Sequence, residues 1–282
     1  MSSLLKRLRN MPMGARLFLF STGLLGLFLL LAIIFVSVAS YRFATQRVDD
    51  DLQVGERVFH QVLLQKQSQL RQSAQVLAAD FGFRAALASG DAETISSALV
   101  NQSSRINASL AVAIDLQGTV IASSTPHVRP GASYPAADHL RANSIDGGGA
   151  VAFVGNRPLE LIMVPVKAPL PIGWVMLGFE LDDAALREVA ALVEMDVSLL
   201  ADTPSGWALY ASSLEHGNPQ GLIELLSEAT DRRRIDLDGQ SSQWRAFSLP
   251  TVGDAAVMVV LTRSFAEAFA PYRQLLLLLV LL

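Results

Sequence analysis

One segment gathers the side chains best suited to holding a small anion. HVRPGASYPAADHLR carries Arg129, Tyr134, His139 and Arg141 in close succession. A guanidinium beside a phenolic hydroxyl offers forked N–H donors and a further O–H, which suits a carboxylate or another small anion. The competing reading makes Arg129 and Arg141 solvated loop charges, with Tyr134 packing the loop down. A run of three glycines at 147–149 reads as a second anion cradle or as a turn before a strand. DRRR, from Asp231 to Arg234, reads as a basic helix C-terminus favoured by the helix dipole, or as a contact for anionic lipid headgroups.

Other chemistry is sparse. His60, His127, His139 and His216 are spaced unlike the ligands of a metal site, so neither metal nor cofactor is expected. The chain has no Cys, which excludes disulfides, thiolate nucleophiles and Cys-based zinc sites. It contains no G-x-S-x-G, P-loop, H-E-x-x-H or G-x-G-x-x-G, so no catalytic residue is expected. A net charge of −4 argues against nucleic acid as a partner.

The elements that must position these groups begin with a membrane pattern. Of the 282 residues, 51% are apolar and 17% charged, and much of the excess lies in residues 17–41, which carry no charge. That length suffices to cross a bilayer with some tilt. Lys6, Arg7, Arg9 and Arg16 precede it and Asp49 to Asp51 follow, so residues 1–16 are expected in the cytoplasm and the remainder outside. A cleaved signal peptide with small residues near Ala39 and Ser40 is the alternative, although its apolar region is normally shorter. After Gln274 the chain ends in LLLLLVLL. Residues 265–282 are expected to form a helix leading into a second transmembrane helix that continues past Leu282.

Between these runs, residues 42–90 predict one long stalk helix. Val48, Leu52, Phe59, Leu63, Leu70, Ala74, Leu77 and Phe81 recur mostly every four and seven residues, with the Gln-rich QVLLQKQSQLRQSAQ as polar face. At 1.5 Å per residue this helix reaches roughly 70 Å. Its seam packs on the chain's own domains or pairs with a second copy in a homodimer.

The pattern changes at Asn107. NASLAVAIDLQGTVIASS reads as strand, Asp115–Gly118 turn and strand, with Leu110, Val112 and Ile114 alternating as in a half-buried strand. AVAFVG, LELIMVPVK and GWVMLGFEL are three further strands, and Asp182 and Asp183 cap the helix AALREVAALVEM. MDVSLLADTPSGWALYASS then repeats the opening hairpin, and RAFSLPTVGDAAVMVVLTRSFAEAF repeats the closing strands and helix. This internal repeat predicts an α+β chain with two tandem antiparallel-sheet domains, 91–194 and a smaller 195–264.

Membrane anchor, long helix, two PAS-like units and a return helix together resemble the double Cache sensor region of bacterial transmembrane receptors. VFHQVLLQKQSQLRQSAQVLAADFGFRAALASGD, VAIDLQGTVIASS and PIGWVMLGFELDD look like the double sensory domain found before GGDEF and EAL modules. The resemblance implies an input region in the bacterial inner membrane. Residues 42–272 would be periplasmic, with 91–194 distal and 195–264 proximal to the membrane. It implies as partner a small ligand or a periplasmic protein, and a HAMP segment and cyclic di-GMP module as output. Histidine kinases and chemoreceptors carry related regions. The small molecule would bind against the sheet under the segment that holds Arg129, Tyr134, His139 and Arg141. The amino-acid motif of such receptors, a Tyr, an Arg and a Trp-Tyr pair in one segment, is not evident, which speaks against an amino-acid ligand. No GGDEF or EAL stretch occurs in these residues, so catalysis is implied for a longer parent only.

Overall fold

The computed structural model describes residues 13–134, 137–146, 149–214, 219–227, 234–237, 240–253 and 255–266. The terminal leucine run, the first two glycines of the triple and Asp231 to Arg233 lie outside these residues, as does His216. The chain divides into two compact units, residues 1–50 with 265–282, and residues 51–264.

Helix α1 runs Met13–Ala79. In the first unit its apolar stretch turns large side chains outward, among them Phe18 at 72%, Phe28 at 70% and Phe35 at 75% exposure. Among the described residues no helix is long and apolar enough to cross a membrane.

The second unit corrects the single-helix stalk. Asp80 takes an extended backbone and its carboxylate accepts from the N–H of Phe83 at 2.7 Å, so α1 stops and α2 (Phe81–Ser89) begins. A short acid that satisfies a free helix N–H outcompetes continuation of the ladder. Phe81, placed on the buried stripe by spacing, is thereby turned out to 80% exposure. Gly90, at φ 72°, closes α2 with its N–H on Ala86 and Leu87, and Asp91 caps α3 (Ala92–Arg105). The Thr94 hydroxyl and N–H beside Asp91 hold its carboxyl below the usual range.

Two antiparallel sheets follow. The first is built from β1 (Leu110–Ile114), β2 (Val120–Ser123), β3 (Ala150–Val154), β4 (Arg157–Lys167) and β5 (Pro171–Glu180), with α4 (Ala137–Asp146) between β2 and β3. After α5 (Asp183–Val193), the second is built from β6 (Asp196–Thr203), β7 (Gly206–Ser212), β8 (Arg234–Leu237), β9 (Gln240–Ser248) and β10 (Val257–Ser264). Helix α6 (Pro219–Ser227) lies between β7 and β8. The strand orders are β2-β1-β5-β4-β3 and β7-β6-β10-β9-β8, the same path traced twice, as the internal repeat predicts.

The first sheet is covered on both faces. Ala111, Ala113, Ile162 and Val164 pack against Leu70, Ala74 and Leu77 of α1 and Leu99 of α3. Leu110, Val112, Ile114, Leu159 and Leu161 pack on the other face with Val128 and Leu140. Strand β1 is therefore buried along its whole length, where alternation predicted half-burial. Its outer positions are alanines, small enough to let helices sit close, and alternation of size rather than polarity marks the two faces. The second sheet reaches the first through a short parallel bridge. Val151 N–H donates to the Pro250 carbonyl at 2.8 Å, and Val252 N–H returns to Val151 at 2.8 Å.

Candidate functional site

The predicted anion segment lies over the second face of the first sheet, and it starts from the β1–β2 turn. Asp115 accepts from the N–H groups of Gln117 at 2.9 Å and Thr119 at 2.7 Å, which folds the turn. Gly118 completes it at φ 92°, a left-handed conformation that favours glycine. The loop then runs back along the edge of β2: Val120 N–H donates to Ala132, Gly131 N–H to Val120, and Tyr134 N–H to Gly118, at 2.9, 2.7 and 2.9 Å.

Three of the four predicted residues take distinct places there. Arg141, on α4, donates through Nη1 to the Leu116 carbonyl at 2.9 Å, through Nε to Ala137 at 3.3 Å, and pairs with Asp138. Its guanidinium fastens α4 to the turn. Tyr134 packs against the sheet core, and burial pushes its phenol up to about 12. Arg129 is exposed. His139 lies on α4, and its side chain is outside the described residues. Tyr134 and Arg141 thus meet the same turn from different elements, while Arg129 heads the loop that joins them.

The opposite face holds a feature that residue types did not announce. Glu160 on β4 alternates with the core residues Leu159 and Leu161, so it points to the α1 side, where it is 3% exposed. Gln67 Nε2 on α1 donates to Glu160 Oε1. Gln67, assigned by composition to the polar face, is itself buried at 5% exposure, because position 67 continues the stripe from Leu63 to Leu70. Glu160 Oε2 and Gln67 Oε1 have no hydrogen-bond partner among the described residues. Burial raises the Glu160 carboxyl to about 7, and the Gln67 hydrogen bond opposes that rise. Gly149, last of the glycine triple, abuts this pair: a Cβ there would stand 2.8 Å from Glu160 Oε1 and 3.1 Å from the Leu161 carbonyl. A carboxyl neighbour is the wrong sign for an anion cradle at this glycine.

Glu160 lines a cavity of about 550 Å³. Phe59, Leu63, Lys66 and Leu70 of α1 form one wall, Phe179 and Glu180 of β5 another, and Asp182, Leu186, Glu188 and Val189 the third. The sequence signal for this site was available but weak: a single acid inside the apolar run LELIMVPV, and a Gln on a helical stripe.

With two identically ordered sheets on a long helix in view, family comparison is decisive. The model of the double sensory domain of two-component sensor kinase matches residues 45–253. The chain belongs to this double Cache family. Its double sensory domain resembles in fold the periplasmic domain of Vibrio cholerae LuxQ, at 15% identity and TM-score 0.50, over 77% of this chain and 99% of that one. The sensor domain of the V. cholerae histidine kinase DctB matches at 15% identity and TM-score 0.47, over 77% and 97% of the two chains. The sensory domain of Campylobacter jejuni chemoreceptor Tlp3, with isoleucine bound, matches at 14% and TM-score 0.49, over 83% and 97%. Likeness at such identity bears on fold alone. No curated protein matches the chain.

Proposed function

We propose that this double sensory domain is the extracytoplasmic input region of a bacterial inner-membrane receptor. The observation that carries the reading is the tandem pair of identical sheet paths on a helix whose residues 17–38 expose a continuous set of large apolar side chains. Such a surface is stable only when covered by lipid or protein. Residues 1–16 are then cytoplasmic, 17–41 the anchor and 42–272 outside. The apolar run from Leu275 is assigned to the return crossing as one part of it. In this reading 91–194 is distal and 195–264 proximal to the membrane; the periplasmic setting of LuxQ's domain supports the extracytoplasmic side alone.

A small ligand or a protein partner biases the distal domain between two packings, which requires different affinities for the two. We assign the small-anion contacts to Arg129, Tyr134 and His139, with Arg141 as the residue whose bond to Leu116 the ligand alters. Exposed Leu64 and Val76 on α1, at 61% and 67%, support pairing of stalks in a homodimer. The output follows one of two readings. The resemblance to regions preceding GGDEF and EAL modules supports a cyclic di-GMP module behind a HAMP segment. The family's own description, the double sensory domain of two-component sensor kinase, supports a sensor kinase as output.

Because the chain has no Cys, single introduced thiols report topology cleanly. Gln117→Cys and Ser205→Cys, both at exposed positions, are expected to react with a membrane-impermeant maleimide on intact spheroplasts, and Ser3→Cys only after permeabilisation. Protection of 117 and 205 in intact spheroplasts would overturn the assignment.

A further inference from the structure

The geometry points to a binding site for a small primary amine in the cavity between α1, β4–β5 and α5, its ammonium group held by Glu160. The first ground is an open acceptor. Glu160 Oε2 is buried and unpartnered among the described residues, and it belongs to a side chain that lines a cavity of about 550 Å³. Buried carboxyl oxygens are nearly always hydrogen-bonded, so an unpartnered one on a side chain that lines a cavity marks a missing donor.

The second ground is the state of the other charges around the cavity. Glu180 is paired with Arg157 at 3.0 Å, Glu188 with Lys66 at 3.2 Å, and Asp182 accepts from Ala185 N–H as the cap of α5. The rim is acidic, and its acids already have donors. Glu160 is the lining acid that keeps a buried, unpartnered oxygen among the described residues. The apolar wall of Phe59, Val62, Leu63, Leu70, Phe179 and Val189 suits a hydrocarbon body attached to the cation.

The lining also excludes competitors. A carboxylate ligand, or a zwitterion carrying one, would meet Glu180, Asp182 and Glu188 against one cation, Lys66, which Glu188 already engages. A hard metal ion takes six or more oxygens, and no group of three candidate ligands exists among the described residues. An ammonium needs only a few acceptors, and Glu160 Oε2 supplies the charged one. In the empty protein, burial keeps this carboxyl partly protonated near neutrality. Binding an ammonium restores the carboxylate and releases that proton to solvent. The ligand would bridge the stalk helix, the first sheet and α5, which leads directly into β6 of the second.

The test is calorimetric titration of the full chain in detergent with cyclohexylamine at pH 7, in two buffers of different ionisation enthalpy. Cyclohexanecarboxylate serves as control. Saturable binding of the amine with proton release is expected, and no comparable binding of the acid. Glu160→Gln, nearly isosteric, is expected to weaken binding at least about tenfold and to abolish proton release. Ala184→Trp places bulk at an exposed position on the cavity wall without touching Glu160, and is expected to weaken binding too. Absence of saturable binding to the unsubstituted chain, or binding unchanged in both variants, would overturn the site. The readout is binding alone, so a negative result removes the amine site and leaves the sensory assignment to stand or fall on thiol labelling.

Discussion

The two sheets share a strand order and differ in how each meets the stalk. Against the first, α1 sets Leu70, Ala74 and Leu77 on Ile162, Val164 and Leu177, with the buried Gln67–Glu160 pair beside them. Against the second, α1 sets charges: Glu56 pairs with Arg245, and Asp51 with Arg263 at 3.2 Å, with side chains partly open to water. Phe59 adds an edge-on ring contact to Phe247 at 5.3 Å, and Gly55 admits Met195 and Leu261 at close range. The lesson is that a duplicated topology need not duplicate its adhesive. Solvated ion pairs exchange with water and salt at little cost. A dry seam with one buried carboxyl resists sliding but responds to that carboxyl's charge. The contrast predicts a stiffer contact, sensitive to one carboxyl, at the first sheet and a more adjustable one at the second, where ion pairs stand beside the buried Phe59.

The largest expected effect tests the stiffness of the first. Leu99→Ala removes a side chain with no exposure from between α3 and the sheet, and is expected to cost about 2–5 kcal/mol. Leu222→Ala on α6 removes the same group from the second sheet's core, where Leu209, Ile223 and Leu226 are only partly buried. Those neighbours are free to close over the gap, so the loss is expected at the low end of that range. Urea unfolding followed by tryptophan fluorescence measures both, with Trp174 reporting on the first sheet and Trp207 and Trp244 on the second. Equal losses would erase the contrast.

Next comes the trigger. The folded-state carboxyl of Glu160 is raised to about 7 from an ordinary 4.5. Between these values the folded chain binds a proton that the unfolded chain has lost, so stability falls as pH rises. The contribution is complete below about 4.5, declines through 7 and then stays lost. Its full size is roughly 3 kcal/mol. Glu160→Gln, neutral at every pH, is expected to flatten this slope and to be the more stable protein at pH 8. Urea midpoints from pH 5 to pH 8 check it, and a slope that persists in the variant assigns the titration elsewhere.

A smaller effect belongs to Asp80. Replacing it with Ala withdraws the acceptor from Phe83 N–H and is expected to cost about 1 kcal/mol by the same urea assay. This residue also shows where sequence reading stops. The alternation of apolar strands, the Asp115–Gly118 turn and the repeated hairpin were all legible, because each is written within a dozen or so neighbouring residues. Asp80 was passed over because a single acid on a helix surface looks the same whether it caps or is merely solvated. Gln67 and Glu160 were missed for a stronger reason. They stand 93 positions apart, and only the packing of α1 on β4 makes either of them buried. Arg141 was singled out by its type as a ligand contact, and its bond to the carbonyl of Leu116, 25 residues away, was not legible from type or spacing.

The smallest effect is the most discriminating for the second seam. Glu56→Gln removes one charge from the Arg245 pair, whose side chains are 39% and 24% exposed, and a partly solvated pair contributes about 0.2–1 kcal/mol. The size alone would not separate it from background, but its salt dependence does. If charge holds the second sheet to α1, raising NaCl from 50 mM to 500 mM should erase the difference between Glu56→Gln and the parent, since screening shortens the reach of exposed charges. Leu70→Ala at the first seam should keep its full deficit over the same range, because salt does not weaken apolar burial. A double substitution, Glu56→Gln with Arg245→Gln, should lose less than the sum of the singles by the pair's coupling energy. If both seams respond alike to salt, the stalk is held by one kind of contact throughout, and the proposed division between a stiff sheet and an adjustable one has no basis.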